Sequence, residues 1–251
     1  MRLLRQEARA LWSALLYFTR LPLPAPSVYD PEDLRRAAAY WPLTGVLVAL
    51  VVGGLCLGFR QLLPVGLACA LSLGAGVLLT GAMHEDGLAD VCDGLGGGAT
   101  RERALEIMKD SAIGAFGGIG LVLSLLIRWQ CLVALPCGLL LPVLSAAALT
   151  SRSAAVTLMS TQDYVRTGPS KARPLVDRLH GWRLTLVLLL GLLPLAWLPL
   201  RLWPCLLAVG LVRLLMGIWF LLRLGGYTGD CLGALQQVAE MVALLTAISL
   251  S

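Results

Sequence analysis

The sequence predicts an all-α, polytopic membrane bundle of about seven transmembrane helices, preceded by an amphipathic helix at the membrane interface. The chain has 251 residues, 58% of them apolar and 14% charged, with a mean hydropathy of +0.81. With so few charges the bilayer takes the place of a conventional core. Its apolar runs are many and long. The basic residues fall mostly between those runs, where membrane orientation requires them. A net charge of +5 so distributed gives no case for nucleic acid.

Residues 1–20 open the chain with Arg2, Arg5, Arg9 and Arg20 spread along an apolar stretch that Glu7 interrupts. No small-residue cleavage site follows, so the segment predicts a surface helix rather than a cleaved signal peptide. Pro22, Pro24, Pro26 and Pro31 stop that helix and stiffen the excursion after it. Membrane-depth segments follow near 41–59, 61–82, 114–135, 137–159, 184–201, 202–222 and 232–250. Each is long enough to cross a hydrocarbon core of about 30 Å. Gly53, Gly54, Gly74, Gly76, Pro194 and Pro199 punctuate them, as membrane helices tolerate. The division between 184–201 and 202–222 is the weakest, since only Arg201 to Pro204 separates the two. No internal boundary is evident, so residues 1–251 are expected to form a single integral-membrane domain.

Charge sets the expected orientation. With the N-terminus on the cytoplasmic side, the inside segments 1–40, 83–113, 151–183 and 223–231 hold 16 of the 20 Lys and Arg residues. Arg60, Arg128 and Arg201 fall on outside turns, and Arg213 lies within a span. That asymmetry predicts a membrane protein whose N-terminus and long polar loops all lie on the cytoplasmic face.

The seven cysteines are scattered through apolar segments, odd in number and without Cys-x-x-Cys or Cys/His spacing. They support neither a disulfide framework nor a zinc site.

The chemistry concentrates in His84-Glu85-Asp86-Gly87-Leu88-Ala89-Asp90-Val91-Cys92-Asp93-Gly94. On a helix Asp86, Asp90 and Asp93 fall at roughly 0°, 40° and −20° around the axis, so three carboxylates share one face. Left unneutralised they repel and weaken the helix. A divalent cation among them removes that cost, and an all-oxygen set favours Mg²⁺ or Mn²⁺ over zinc. A polar turn between two spans is the plainer reading, but it does not need acids at that spacing. Glu85 points away from this face, which puts its part in metal binding in doubt. His84 and His180 lack a partner pattern.

Other loops bring groups to the same side. Gly94 and Gly96 to Gly98 end the acidic helix, and Thr100 can cap a short one that delivers Lys109-Asp110-Ser111. Glycines then open the next span, a neighbourhood suited to phosphate or to a metal ligand. Arg152, Arg166, Lys171 and Arg173 offer charge-assisted contacts to phosphate, although positive-inside charge alone accounts equally well for the later ones. Gly225-Gly226-Tyr227-Thr228-Gly229-Asp230 holds more glycine, threonine and acid than a reversal requires, while Asp230 also stands where a helix N-cap would. Arg20 can face an anionic substrate or simply anchor the interface. At membrane depth, Arg213 and Glu240 are expected to pair across neighbouring helices, as structure or as part of the site.

An acidic cluster beneath basic, glycine-rich loops suits phosphoryl-type transfer. A carboxylate then serves as base for an attacking hydroxyl. A cation-coupled transporter is the rival, but it predicts acids near mid-bilayer, and the cluster here lies at a loop edge.

The chain resembles the cobalamin synthase family, the adenosylcobinamide-GDP ribazoletransferases. The matching pieces are Thr19-Arg20-Leu21-Pro22, Trp41-Pro42-Leu43-Thr44-Gly45, the block from His84 to Gly94, Arg101 through Ser111 with Gly114, and Gly225 through Ala234. They occur in order over nearly the whole chain, and the acidic block followed by Glu106-Ile107-Met108-Lys109-Asp110-Ser111 is specific. Trp41 stands where the family usually has Phe, and Glu85 where an apolar residue is common. CDP-alcohol phosphotransferases also use spaced aspartates with Mg²⁺, but their motif continues Asp-Gly-x-x-Ala-Arg, against Asp86-Gly87-Leu88-Ala89-Asp90 here.

The resemblance implies the last step of nucleotide-loop assembly in cobalamin (vitamin B12) biosynthesis. A ribose hydroxyl of α-ribazole, or of its 5′-phosphate, attacks adenosylcobinamide-GDP. GMP leaves, and adenosylcobalamin or its 5′-phosphate forms. In that reaction Asp86, Asp90 and Asp93 are expected to hold Mg²⁺, one of them doubling as base. Arg20, Lys109, Asp110, Ser111, Arg152, Arg166, Thr228 and Asp230 are expected around the diphosphate. A homo-oligomer, and docking of other enzymes of the pathway on the cytoplasmic loops, are left open.

Overall fold

The structure is a computed structural model describing residues 2–25, 30–166 and 178–251. Pro26, Lys171 and Arg173, singled out in the sequence, lie outside the described residues. Helices account for nearly everything else. Among the described residues, one short parallel bridge joins Tyr164 and Tyr227.

Helix α1 (Arg2–Phe18) is followed by α2 (Pro31–Ala37). The Asp30 carboxylate accepts the Glu32 N–H at 2.9 Å to start α2, and Pro31 takes its first turn. Helix α1 turns Ala10, Ala14 and Phe18 into the protein and leaves Leu3 and Leu4 uncovered. Arg9 pairs with Asp33 at 2.6 Å, and Glu7 binds Arg183 at 2.6 Å. The predicted surface helix is therefore fastened to the bundle by polar contacts.

The long helices are α3 (Trp41–Phe59), α7 (Ala115–Ala134), α8 (Cys137–Thr161), α10 (Pro204–Leu224) and α11 (Gly229–Ser249). Counted with the short turns that lead into α3 and α10, all five are long and apolar enough to cross a membrane. Their outer faces are apolar: Ile119, Val122, Leu123 and Leu126 on α7, and Leu207, Leu211, Leu214 and Leu222 on α10, are exposed. Such a surface suits lipid rather than water. Helices α8 and α11 are the buried centre of the bundle.

Two predicted spans differ from their expected form. The segment drawn at 61–82 is helical only over α4 (Val65–Thr80), where the chain bends by 88° into α5 (Met83–Gly97). Gly81 and Ala82 cause the bend, both in the left-handed region at φ 65° and 57°. The pair counts as a sixth, broken span. The segment at 184–201 shortens to α9 (Trp182–Leu192) with a 3₁₀ turn to Ala196, because Pro194 and Pro199 cannot continue a helix. Between α5 and α7, α6 (Arg101–Ile107) begins at the expected cap, Thr100 Oγ1 accepting the Arg103 N–H at 3.2 Å.

Helix α5 is wedged between α7 and α11. A Cβ at Gly87 would meet the Asp230 carbonyl oxygen at 2.9 Å, and one at Gly233 the His84 carbonyl oxygen at 3.2 Å. Glycine at both positions lets the two backbones touch. That contact sets the acidic helix beside the turn that starts α11.

Candidate active site

Asp86 and Asp90 lie on α5 opposite the start of α11. Asp86 is exposed and Asp90 half-buried. The charges acting on Asp90 are, in order of strength, Asp230, Asp86, Arg166 and Asp93. Gly87 packing on Asp230 is what brings the third carboxylate so near. Thr228, not Asp230, caps α11: its Oγ1 accepts the Cys231 N–H at 3.3 Å and donates to Asp230 Oδ2 at 3.2 Å. Freed from capping, the Asp230 carboxylate turns to Arg166, 3.4 Å away.

Arg166 arrives from the far end of α8. The Val165 N–H donates to the Tyr227 carbonyl at 3.0 Å, and the Tyr227 N–H to the Asp163 carbonyl at 3.0 Å. This two-bond ladder ties the chain after α8 to the turn before α11, and Gly226 at φ 155° makes the close approach. A second Arg166 contact, donation to the Met108 carbonyl at 2.8 Å, holds the guanidinium from the α6 side. Asp86, Arg166 and Asp230 line one cavity of about 140 Å³ with His84, Trp41 and Met83.

Asp93 lies on the same helix but has other work. Its Oδ2 accepts the Gly114 N–H at 2.7 Å and its Oδ1 the Gly117 N–H at 2.8 Å. Both oxygens thus cap the start of α7, where the helix dipole favours negative charge. A Cβ at Gly114 would meet Asp93 Oδ1 at 2.5 Å, so the cap depends on that glycine. Asp93 forms the inner wall of a second, open cleft of about 670 Å³ with Lys109, Asp110 and Arg103. Ser111 is exposed next to it.

The remaining sequence candidates are placed elsewhere. Arg20 is exposed at the α4–α5 bend, its backbone N–H donating to the Leu79 carbonyl at 2.7 Å and its side chain covering Gly81. Arg152 is 3% exposed and pairs with Glu240 at 3.0 Å, inside the bundle rather than on the Asp86 cavity. Glu85 faces away from Asp86, as its helical angle predicts. It binds Arg128 at 2.8 Å and accepts the Gln237 side-chain N–H at 3.0 Å.

Arg128 also donates to Gln237 at 2.9 Å and stands 3.5 Å from Glu240. The expected Arg213–Glu240 pair is therefore not formed. Arg213 instead binds the Thr157 carbonyl at 3.2 Å, together with Thr161 Oγ1. Arg128, counted with the outside turns although the predicted span 114–135 contains it, lies inside α7. Two glutamates and two arginines balance there, as buried charge demands.

Among the described residues, no three His, Cys, Asp or Glu side chains converge closely enough to enclose a metal ion. Mg²⁺ does not require that. It keeps several waters and takes one or two carboxylates plus oxygens of a bound phosphate. Asp86 and Asp230 line one cavity, offer oxygen donors only and have Arg166 as counter-charge, so the residues present fit that mode. All seven cysteines are free.

The family model described as cobalamin-5-phosphate synthase (CobS) matches residues 10–248. Similar curated proteins are named adenosylcobinamide-GDP ribazoletransferase. That of Ralstonia pickettii is 45% identical over 250 residues, covering 97% of this chain and 96% of the relative. The protein of Ralstonia nicotianae is 43% identical, covering 96% and 95%. The one of Shewanella frigidimarina is 39% identical, covering 97% and 95%. No solved structure gives a significant match.

Proposed function

The chain belongs to the cobalamin-5-phosphate synthase family, and on that premise we propose that it joins α-ribazole, or its 5′-phosphate, to adenosylcobinamide-GDP. A ribose hydroxyl forms a new O–P bond to the cobinamide-side phosphorus. The bond from that phosphorus to the bridging oxygen breaks, GMP leaves with the electron pair, and the hydroxyl proton passes to a carboxylate. The products are GMP and adenosylcobalamin or its 5′-phosphate.

The observation that carries this reading is the meeting of Asp86 and Asp90 with Asp230 and Arg166. One or two of Asp86, Asp90 and Asp230 would hold Mg²⁺, with Mn²⁺ as substitute. Bound there, the ion supplies charge neutralisation for the diphosphate and the leaving phosphate. Arg166 donates to phosphate oxygens from a fixed position. Asp90, half-buried and pressed by like charge, is the better placed of the α5 acids to take the hydroxyl proton. Thr228 aims Asp230, and Asp93 holds the start of α7 against the site. Lys109, Asp110 and Ser111, on the neighbouring cleft, meet the outer part of the nucleotide.

Residues 1–251 act as one domain in the inner membrane. The excess of basic residues on the segments that carry these groups supports a cytoplasmic site and a cytoplasmic N-terminus.

The test uses protein in liposomes with adenosylcobinamide-GDP and α-ribazole 5′-phosphate, with and without Mg²⁺. GMP release that requires both substrates and the metal is the expected result. Turnover of a CDP-linked alcohol instead would move the assignment to that class.

A further inference from the structure

The open cleft of about 670 Å³ is walled by the end of α5, by α6 and by the start of α7. It adjoins the phosphate site at two points. Asp93, on its inner wall, is one of the charges acting on Asp90. Arg166, which faces Asp230, holds the carbonyl of Met108, next in the chain to Lys109 of the cleft. Along α5 the step from Asp86 to Asp93 is about 10 Å.

Among the described residues three carboxylates line the cleft, and two of them are engaged. Asp93 accepts the Gly114 and Gly117 N–H groups, and Glu106 pairs with Arg103 at 2.6 Å. Asp110 is the third. Its Oδ1 accepts the Ala112 N–H at 3.1 Å, which fixes the direction of the carboxylate and leaves lone pairs on both oxygens. The residue is exposed, as is Lys109 beside it. Phe116 adds an aromatic surface to the same cleft. Its ring rests against Gly96, where a Cβ would meet Cγ at 2.7 Å, yet the residue stays 55% exposed.

We propose that this cleft seats the guanine of the GMP moiety and that Asp110 selects it, a proposal that rests on the transferase reading above. A carboxylate accepts two neighbouring donors at once, and such charge-assisted pairs are the strong ones. Guanine carries that pair on one edge, N1–H and the N2 amino group. Adenine and cytosine set a ring-nitrogen lone pair beside their one amino group, and a carboxylate oxygen repels it. The benzimidazole of α-ribazole has no N–H to offer. Stacking on Phe116 would serve any purine, so the choice among bases falls to Asp110. Lys109 supplies positive charge for an anionic nucleotide. With its base here, GMP directs its phosphate along α5 towards Asp90 and Arg166.

The test measures binding of GMP, inosine monophosphate and xanthosine monophosphate to the full chain in detergent by equilibrium dialysis. Inosine lacks the N2 amino group, and xanthosine has a carbonyl in its place. On the scale of a hydrogen bond to a charged group, wild type is expected to favour GMP over each of the others by about tenfold or more. Asp110→Asn offers one acceptor and one donor instead of two acceptors, which matches the N1–H and C2 carbonyl of xanthine. This variant is expected to bind the xanthosine nucleotide more tightly than GMP, a reversal that damage to the fold would not produce. Phe116→Ala is expected to weaken binding of GMP by about tenfold. Should Asp110→Asn not fold, the wild-type comparison of GMP with inosine monophosphate decides. Equal wild-type affinities, an Asp110→Asn protein that keeps the wild-type order, or unchanged GMP binding in Phe116→Ala overturns the proposal. The transferase reading stands in those cases if wild type still releases GMP from its two substrates. Wild type that neither binds nor releases GMP overturns both.

Discussion

Glu85 and Arg128 meet at 2.8 Å inside the bundle, while Asp86, the very next residue, faces the cavity. Neighbouring residues on one helix thus do opposite jobs. Glu85 pins α5 to α7 and α11 through Arg128 and Gln237, and Asp86 works from the other face. Removing Glu85 leaves a buried guanidinium uncompensated, a loss of about 3–5 kcal/mol when one partner of such a pair is deleted. Glu85→Ala should therefore lower the thermal midpoint in detergent sharply, and Glu85→Gln, which keeps a hydrogen bond, should lower it less. Equal midpoints for wild type and Glu85→Ala would mean that the pair does not hold α5.

The carboxylates divide by task. Asp90→Asn and Asp230→Asn should cut GMP release by at least about 100-fold, the scale on which electrostatic stabilisation of phosphoryl transfer acts, while membrane insertion persists. Asp93 accepts two backbone N–H groups at α7, so Asp93→Asn should reduce stability and keep the Mg²⁺ requirement of wild type. A Mg²⁺ titration of turnover separates the cases. If Asp93→Asn raises the Mg²⁺ concentration needed as much as Asp90→Asn does, Asp93 belongs to the metal set after all.

How far the sequence carries is visible in these same residues. The angles along α5 place Asp86 and Asp90 outward and Glu85 inward, because helical periodicity fixes direction around an axis. Thr100 as a cap and the apolar stretches as helices follow from equally local rules. What periodicity cannot encode is which helices become neighbours. Arg213 and Glu240 stand at similar depths on consecutive helices, yet Glu240 turns to Arg128 and Arg152, which come from α7 and α8. Asp93 shares the angular face of Asp86, but the start of α7 folds back over it. Asp230 joins the site because glycines let α5 and α11 touch. Nothing local in the sequence marks Gly87 and Gly233 as the two that meet. The stack of Phe18 on Trp41 and of Trp41 on His84 joins three helices and leaves no local signal.

The glycine contact makes a graded prediction. A methyl at Gly87 would sit 2.9 Å from the Asp230 carbonyl oxygen and 3.1 Å from its Cα, both backbone atoms that cannot swing aside. At Gly233 the closest atoms are at 3.2 and 3.3 Å, and at Gly74 nothing lies within 4 Å. Overpacking of this kind costs about 1–3 kcal/mol. Gly87→Ala should thus be the most damaging of the three to both stability and turnover, and Gly233→Ala milder. Gly74→Ala should be neutral or slightly stabilising, as alanine favours helix by up to about 1 kcal/mol. Thermal midpoints in one detergent rank them, and any other order would break the link between the α5–α11 contact and the site.

Arg166 is the cation held at two points, the Met108 carbonyl at 2.8 Å and Asp230 at 3.4 Å. A planar guanidinium can keep such anchors and still present N–H groups to a phosphate, whereas an ammonium is a compact charge without that fork. Arg166→Lys should accordingly preserve folding and the net charge, yet lower kcat/KM for adenosylcobinamide-GDP by about 10-fold to 100-fold, the equivalent of about 1.4–2.7 kcal/mol of lost transition-state binding. The loss should fall on the diphosphate substrate more than on α-ribazole, since the guanidinium is the group suited to grip phosphate. Steady-state kinetics with each substrate varied in turn make the comparison. Wild-type kcat/KM in Arg166→Lys would show that charge alone suffices at this position, and an equal loss for both substrates would mean that Arg166 holds the α6 and α11 ends of the cavity together rather than gripping phosphate.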